Sequence, residues 1–117
     1  MNIPSSARLV LATHNPHKVR ELADILSPLI PGFSSDMVVG AAGLGIAEPV
    51  EDGVSFTENA LIKARAASAA TGLPAVADDS GICVDIMGGA PGIFSARWCG
   101  HHGDDQANLQ LLLDQMA

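Results

Sequence analysis

The apolar run Arg8-Leu9-Val10-Leu11-Ala12 stops at Thr13-His14-Asn15-Pro16, and this junction constrains the fold more than any other stretch of the chain. Such a run is consistent with a buried strand. Asn is a favoured N-cap and Pro suits the first helical position, so Asn15-Pro16 is expected to open a helix. Val19, Leu22, Ala23 and Leu26 follow at helical spacing, and Ser27-Pro28 is expected to close it. A strand feeding directly into a capped helix points to an α/β fold.

Similar punctuation recurs downstream. Residues from Leu29 to Pro49 are rich in Gly and Pro and read as an irregular crossing, with Met37-Val38-Val39 as a weak strand. Ser55 and Glu58 have capping-box spacing, and the Ala-rich run from Glu58 to Ala70 is expected to be a helix closed by Gly72 and Pro74. Ala75-Val76-Ala77 then reads as a strand, and Ile82-Cys83-Val84-Asp85-Ile86 alternates like a second one. Gly88-Gly89-Ala90-Pro91-Gly92 is expected to be a rigid loop. Asp104 caps a last helix in which Leu109, Leu112 and Leu113 recur at core spacing. The chain has no internal repeat.

The 117 residues suit one domain, able to bury roughly two-thirds of the surface its unfolded form exposes. Only 16% of them are charged, so some apolar surface is expected to meet a partner. The net charge of -7 argues against nucleic-acid binding, which draws on clustered Lys and Arg, and a phosphate-bearing ligand would need a local cationic pocket. Cys83 and Cys99 are too few for a disulfide framework, so reduced thiols and a cytoplasmic location are expected. No uncharged apolar stretch is long enough to span a membrane, and none is expected to bind one.

A strand running into a helix N-terminus suits anions, because unpaired N–H groups and the helix dipole favour negative charge. Lys18 in that first turn opposes the dipole, which suggests an anionic partner and makes Thr13, Asn15 and Lys18 candidates to hold phosphates. A plain cap with an exposed lysine is the other reading. Asn59 and Lys63, four residues apart on the second helix, share a face that either presents donors to a pocket or meets solvent. Glu51-Asp52 ahead of that helix offers oxygen ligands, or simply loop acids.

Asp78-Asp79-Ser80-Gly81 follows a strand end, where carboxylates face the crevice in which α/β sheets bind ligands; the same four residues also make an ordinary turn. Successive strand side chains point to opposite faces, so the two acids are not expected to share one job. Trp98 is expected to anchor a core or an interface. Cys99, His101, His102 and Asp104 are not expected to hold zinc, since adjacent histidines do not easily share a tetrahedral site.

Taken in order, Thr13-His14-Asn15-Pro16-His17-Lys18, Phe56-Thr57-Glu58-Asn59-Ala60 with Lys63-Ala64, Ala77-Asp78-Asp79-Ser80-Gly81, Gly89-Ala90-Pro91-Gly92 and Ser95-Ala96-Arg97-Trp98 closely resemble the inosine/xanthosine triphosphate pyrophosphatase family. The resemblance runs from Arg8 to Leu113. It implies an ITPase-like α/β fold, a Maf-type mixed sheet with flanking helices. It also implies hydrolysis of noncanonical purine nucleoside triphosphates such as ITP, dITP and XTP to monophosphate and pyrophosphate, with Mg2+, by a cytoplasmic homodimer. Carried over by position, Thr13, His14, Asn15, Pro16, His17 and Lys18 match the triphosphate loop, Lys63 a further phosphate contact and Ser80 a substrate contact. Asp79 matches the general base and a metal ligand, Glu51 an acid near the metal, and Asp78 is left to support the loop.

Two later motifs of that family, a Gly-Tyr-Asp-Pro loop and a Ser-His-Arg segment that recognise the base, do not occur in this sequence. Residues 1–117 are therefore expected to form the N-terminal portion of an ITPase-like domain, with base preference not encoded in them. The alternative, from a different class, is a noncatalytic fragment that binds polyphosphate or forms dimers.

Overall fold

β1 (Leu9–Leu11) lies between β2 (Val38–Gly40) and β3 (Ala75–Val76) in a three-stranded sheet, and both pairings are parallel. The register sets Val10 against Val39 on one side and Ala75 on the other. A central strand buries both faces, which is why the run around Val10 is continuously apolar rather than alternating. Val10 is 0% exposed, and Ala12 and Ala67 complete the buried cluster, with Val39, Leu44, Leu73, Ala75 and Ala77 packed around them.

The structure, a computed structural model, describes residues 1–117. The chain divides into two compact units, one made of Met1–Gly53 with Thr57–Asp78, the other of Val54–Phe56 with Asp79–Ala117. No helix is long and apolar enough to cross a membrane.

In the first unit, parallel strands require crossovers, and α1 (Pro16–Leu29) and most of α2 (Phe56–Thr71) provide them. The α1 cap forms as expected, but the helix continues through Pro28 instead of closing at Ser27. Proline there forfeits a single hydrogen bond in the last turn. Ser27 Oγ donates to the Ala23 carbonyl at 2.7 Å, and Ile30 N–H returns to Leu26 at 3.0 Å to end the helix. The weak strand expected around Val38 is β2. α2 turns Asn59 and Ala67 inward and leaves Leu61 43% exposed, so the face carrying Asn59 and Lys63 is the packed one.

In the second unit, the strand expected at Ile82–Ile86 does not form. Cys83 makes an isolated bridge to Pro91, and Asp85–Met87 is a short 3-10 turn. Backbone bonds close locally there: Met87 N–H and Gly89 N–H both donate to the Val84 carbonyl at 3.0 Å. Glycine and proline from Gly88 to Gly92 fold the segment back before a ladder can extend. Gly92–Arg97 forms a second 3-10 stretch, and α3 (Asp105–Met116) starts as expected, with Asp104 accepting from Ala107 N at 2.9 Å.

Candidate functional site

The loop leaving β1 is tied down by its own side chains. Thr13 Oγ1 accepts from Asn15 N at 3.1 Å, and Asn15 Oδ1 accepts from His17 N at 2.9 Å. Lys18 N–H returns to the Asn15 carbonyl at 3.2 Å, and Pro16 has no N–H to offer. The first-turn donors are therefore largely satisfied within the loop, which leaves the Lys18 ammonium as its principal handle on an anion. His17 Nδ1 accepts from the Arg20 guanidinium at 2.6 Å, and His14 Nε2 lies 4.0 Å from Glu48 Oε1. His14, Asn15, Pro16 and His17 are all exposed.

Lys18 Nζ donates to Asp78 Oδ2 at 2.8 Å. On α2, Lys63 Nζ lies 3.3 Å from Glu51 Oε1 and donates to the Asp78 carbonyl. A ladder of alternating charge results, running Glu51, Lys63, Asp78, Lys18 beyond the carboxyl ends of β1 and β3. The Lys63–Glu51 pair is the more sheltered, with side chains 21% and 24% exposed against 41% and 51% for Lys18 and Asp78. Asp78 is thus the hub of this ladder, a role the sequence reading did not give it. Its one local signal was Lys18, a cation whose opposition to the helix dipole required a nearby anion; the carboxylate found beside Lys18 is that of Asp78.

The Lys18 hydrogen bond holds the Asp78 carboxyl below its ordinary value, with the charges of Lys18 and Lys63 assisting and partial burial opposing. Behind Lys63 on the same helix face, Asn59 is 1% exposed and its Oδ1 accepts from Gly53 N at 2.9 Å.

Asp79 and Ser80 open the second unit. The segment after them is held by Ser95, whose Oγ accepts from Ile82 N at 3.0 Å. Within the same unit an open cavity of about 290 Å3 is lined by Ser80, Pro91, Ser95, Trp98, Leu109 and Leu112 among others. Trp98 Nε1 donates to Gln115 Oε1 at 2.6 Å, so the expected anchor is fixed to α3.

A parallel sheet whose carboxyl edge carries a capped strand-to-helix loop and two lysines paired with acids defines an α/β protein. The chain belongs to the Ham1 family, whose sequence model matches residues 9–117. It is 64% identical over 110 residues to a dITP/XTP pyrophosphatase of Leifsonia xyli, covering 94% of this chain and 52% of that protein. A dITP/XTP pyrophosphatase of Streptomyces avermitilis is 59% identical, with 94% and 54% covered. Among solved structures, a HAM1 protein from Coxiella burnetii superposes with a TM-score of 0.79 at 34% identity, covering 94% of this chain and 53% of that one. The dITP/XTP pyrophosphatase of Mycobacterium abscessus gives 0.74 at 46% identity, with 93% and 54% covered. The chain spans about half the length of the relatives it matches.

Proposed function

We propose that this chain carries the phosphate and metal chemistry of a nucleoside triphosphate pyrophosphohydrolase that converts ITP, dITP and XTP to monophosphate and pyrophosphate. The names of its relatives support the substrate class, and the observation that carries the reading is the ladder from Glu51 through Lys63 and Asp78 to Lys18. The Lys18 ammonium has three donors and its contact with Asp78 uses one of them, so it can also reach phosphate oxygens.

The donor chemistry suits Mg2+. Mg2+ takes hard oxygen ligands and needs only one or two carboxylates, its other oxygens coming from phosphates and water. Glu51 and Asp79 are the proposed ligands. Bound there with substrate, the cation would offset charge on the phosphoryl oxygens. Lys18 and Lys63 orient the triphosphate, and Thr13, His14, Asn15, Pro16 and His17 shape the loop around it, with Ser80 as a further substrate contact. Asp79 accepts a proton from the attacking water as the α–β phosphoanhydride bond breaks and pyrophosphate leaves.

A cytoplasmic homodimer is part of the same proposal. Both cysteines are free, which suits a reducing compartment, and exposed apolar side chains such as Leu109 and Leu113 suit a partner copy.

The test is pyrophosphate release from ITP with Mg2+, compared between wild type and Asp79→Asn. Loss of release in the variant supports the proposal, while equal rates exclude catalysis by this chain. The other reading is a chain that binds polyphosphate without turnover. Calorimetry showing ITP binding with no pyrophosphate released would select it.

A further inference from the structure

Glu51 and Asp79 share a local context. Each is followed two residues later by a glycine, Gly53 and Gly81, that has no space for a side chain. A Cβ at Gly53 would lie 2.7 Å from Asn59 Oδ1, and one at Gly81 would overlap the Gly92 carbonyl and Ser95 Oγ. Neither glycine has a positive φ, so close approach and not backbone conformation demands the missing side chain. In both places the intruding group is a polar side chain that accepts a backbone N–H from the acid-bearing loop. Asn59 Oδ1 takes Gly53 N–H at 2.9 Å, and Ser95 Oγ takes Ile82 N–H at 3.0 Å while donating to the Gly92 carbonyl. Asn59 does this at 1% exposure, one helical turn before Lys63 on the same face, with Glu51 3.3 Å from that lysine.

We propose that Asn59 and Ser95 are positioning residues, each locking the loop that presents one candidate metal ligand, Glu51 in the first case and Asp79 in the second. The proposal rests on the reading of those two acids as ligands of a divalent cation. A carboxylate on a locked loop has less freedom to lose when a cation binds, so the lock raises affinity without touching the metal. Asn59 and Ser95 stand in motifs shared with the pyrophosphatases, yet the resemblance assigns neither a role.

Mn2+ alone serves as the probe, titrated into the isotope-labelled full chain while NMR follows paramagnetic broadening. In the wild type, signals of Glu51 and Asp79 are expected to broaden at lower Mn2+ than those of Asp24 and Asp114. Asn59→Ala and Ser95→Ala are each expected to raise the Mn2+ needed for that broadening about tenfold, the size typical of losing a group behind a ligand. Ser95→Thr, which keeps the Oγ acceptor, is expected to restore the wild-type response. An unchanged Val10 amide signal certifies the fold. Where an alanine variant does not fold, Asn59→Gln, one methylene too long, and Ser95→Cys, a poor acceptor of similar size, give the same readout. Folded variants that broaden at wild-type Mn2+ concentrations overturn the positioning roles alone. A wild type without preferential broadening at either acid removes the ligand reading, and the proposal with it.

Discussion

The tie between Asp78 Oδ2 and Lys18 Nζ, at 2.8 Å, is half-exposed and screened by water, so its net contribution to stability is about 0–1 kcal/mol. Its pH dependence has a definite sign. The folded-state carboxyl titrates below the ordinary 3.8, chiefly because of Lys18, so the unfolded chain takes up the proton first on acidification. The contribution is complete above 3.8 and fades as pH falls through the lowered folded value. Asp78→Asn should therefore cost no more than about 1 kcal/mol in urea unfolding at neutral pH. It should also lose less further stability than wild type on acidification, and an acid response equal to that of wild type would sink the assignment. Lys63 differs from Lys18 in shelter, as its side chain is 21% exposed against 41%. Replacing either by Met should weaken binding of inorganic tripolyphosphate about tenfold by calorimetry. Lys63→Met should also lower stability by more than Lys18→Met does, by about 1–3 kcal/mol, because Glu51 then loses a charged partner in a more sheltered setting. Sequence alone placed Asp78 at a strand end and asked for an anion near Lys18, but it did not join the two, because they lie 60 residues apart.

At the level of elements, α1 is the part most legible in sequence, since its cap, its first proline and its apolar spacing are all local. Asn15→Ala should cost about 1 kcal/mol in urea unfolding and Asn15→Asp much less, because Asp also supplies a capping oxygen. The packing of α1 on β2 was not legible. A Cβ at Gly40 would meet Val19 Cγ2 at 2.8 Å, so the strand lies as close to the helix as a bare backbone allows. Gly40→Ala should destabilise by about 1–3 kcal/mol, and stability equal to wild type would show that α1 shifts freely. The misread segment at Ile82–Ile86 has the opposite origin. Its alternating pattern is genuine, yet Ile82 is 52% and Ile86 87% exposed, so no buried face enforces the pattern. Glycines at 88 and 89, both at positive φ, turn the chain before it can pair at length.

For the whole molecule, the consequential contrast is between the bonding of the two units, each taken by itself. In the first, amides in and just after β1 bond to residues far along the chain, with Val10 N–H on the Pro74 carbonyl at 3.0 Å and Ala12 N–H on Val76 at 2.8 Å, around a core that includes Ala67. Breaking such bonds requires opening the sheet. In the second, the backbone bonds outside α3 span short loops: Val84 N–H reaches Ala90, Gly92 N–H reaches Ile82, and Phe94 N–H reaches Pro91. Breaking these needs only a local excursion, and the exposure of Ile86 at 87% and Phe94 at 49% leaves little apolar burial to oppose it. The division was not legible in a sequence whose motifs run on evenly from Arg8 to Leu113, because it depends on which amides find distant partners. Amide hydrogen exchange should order the chain accordingly, with Val10 and Ala12 slower than Val84 and Phe94 by about 100-fold or more. Equal protection across these four amides would mean that the second unit draws stability from packing beyond its own bonds.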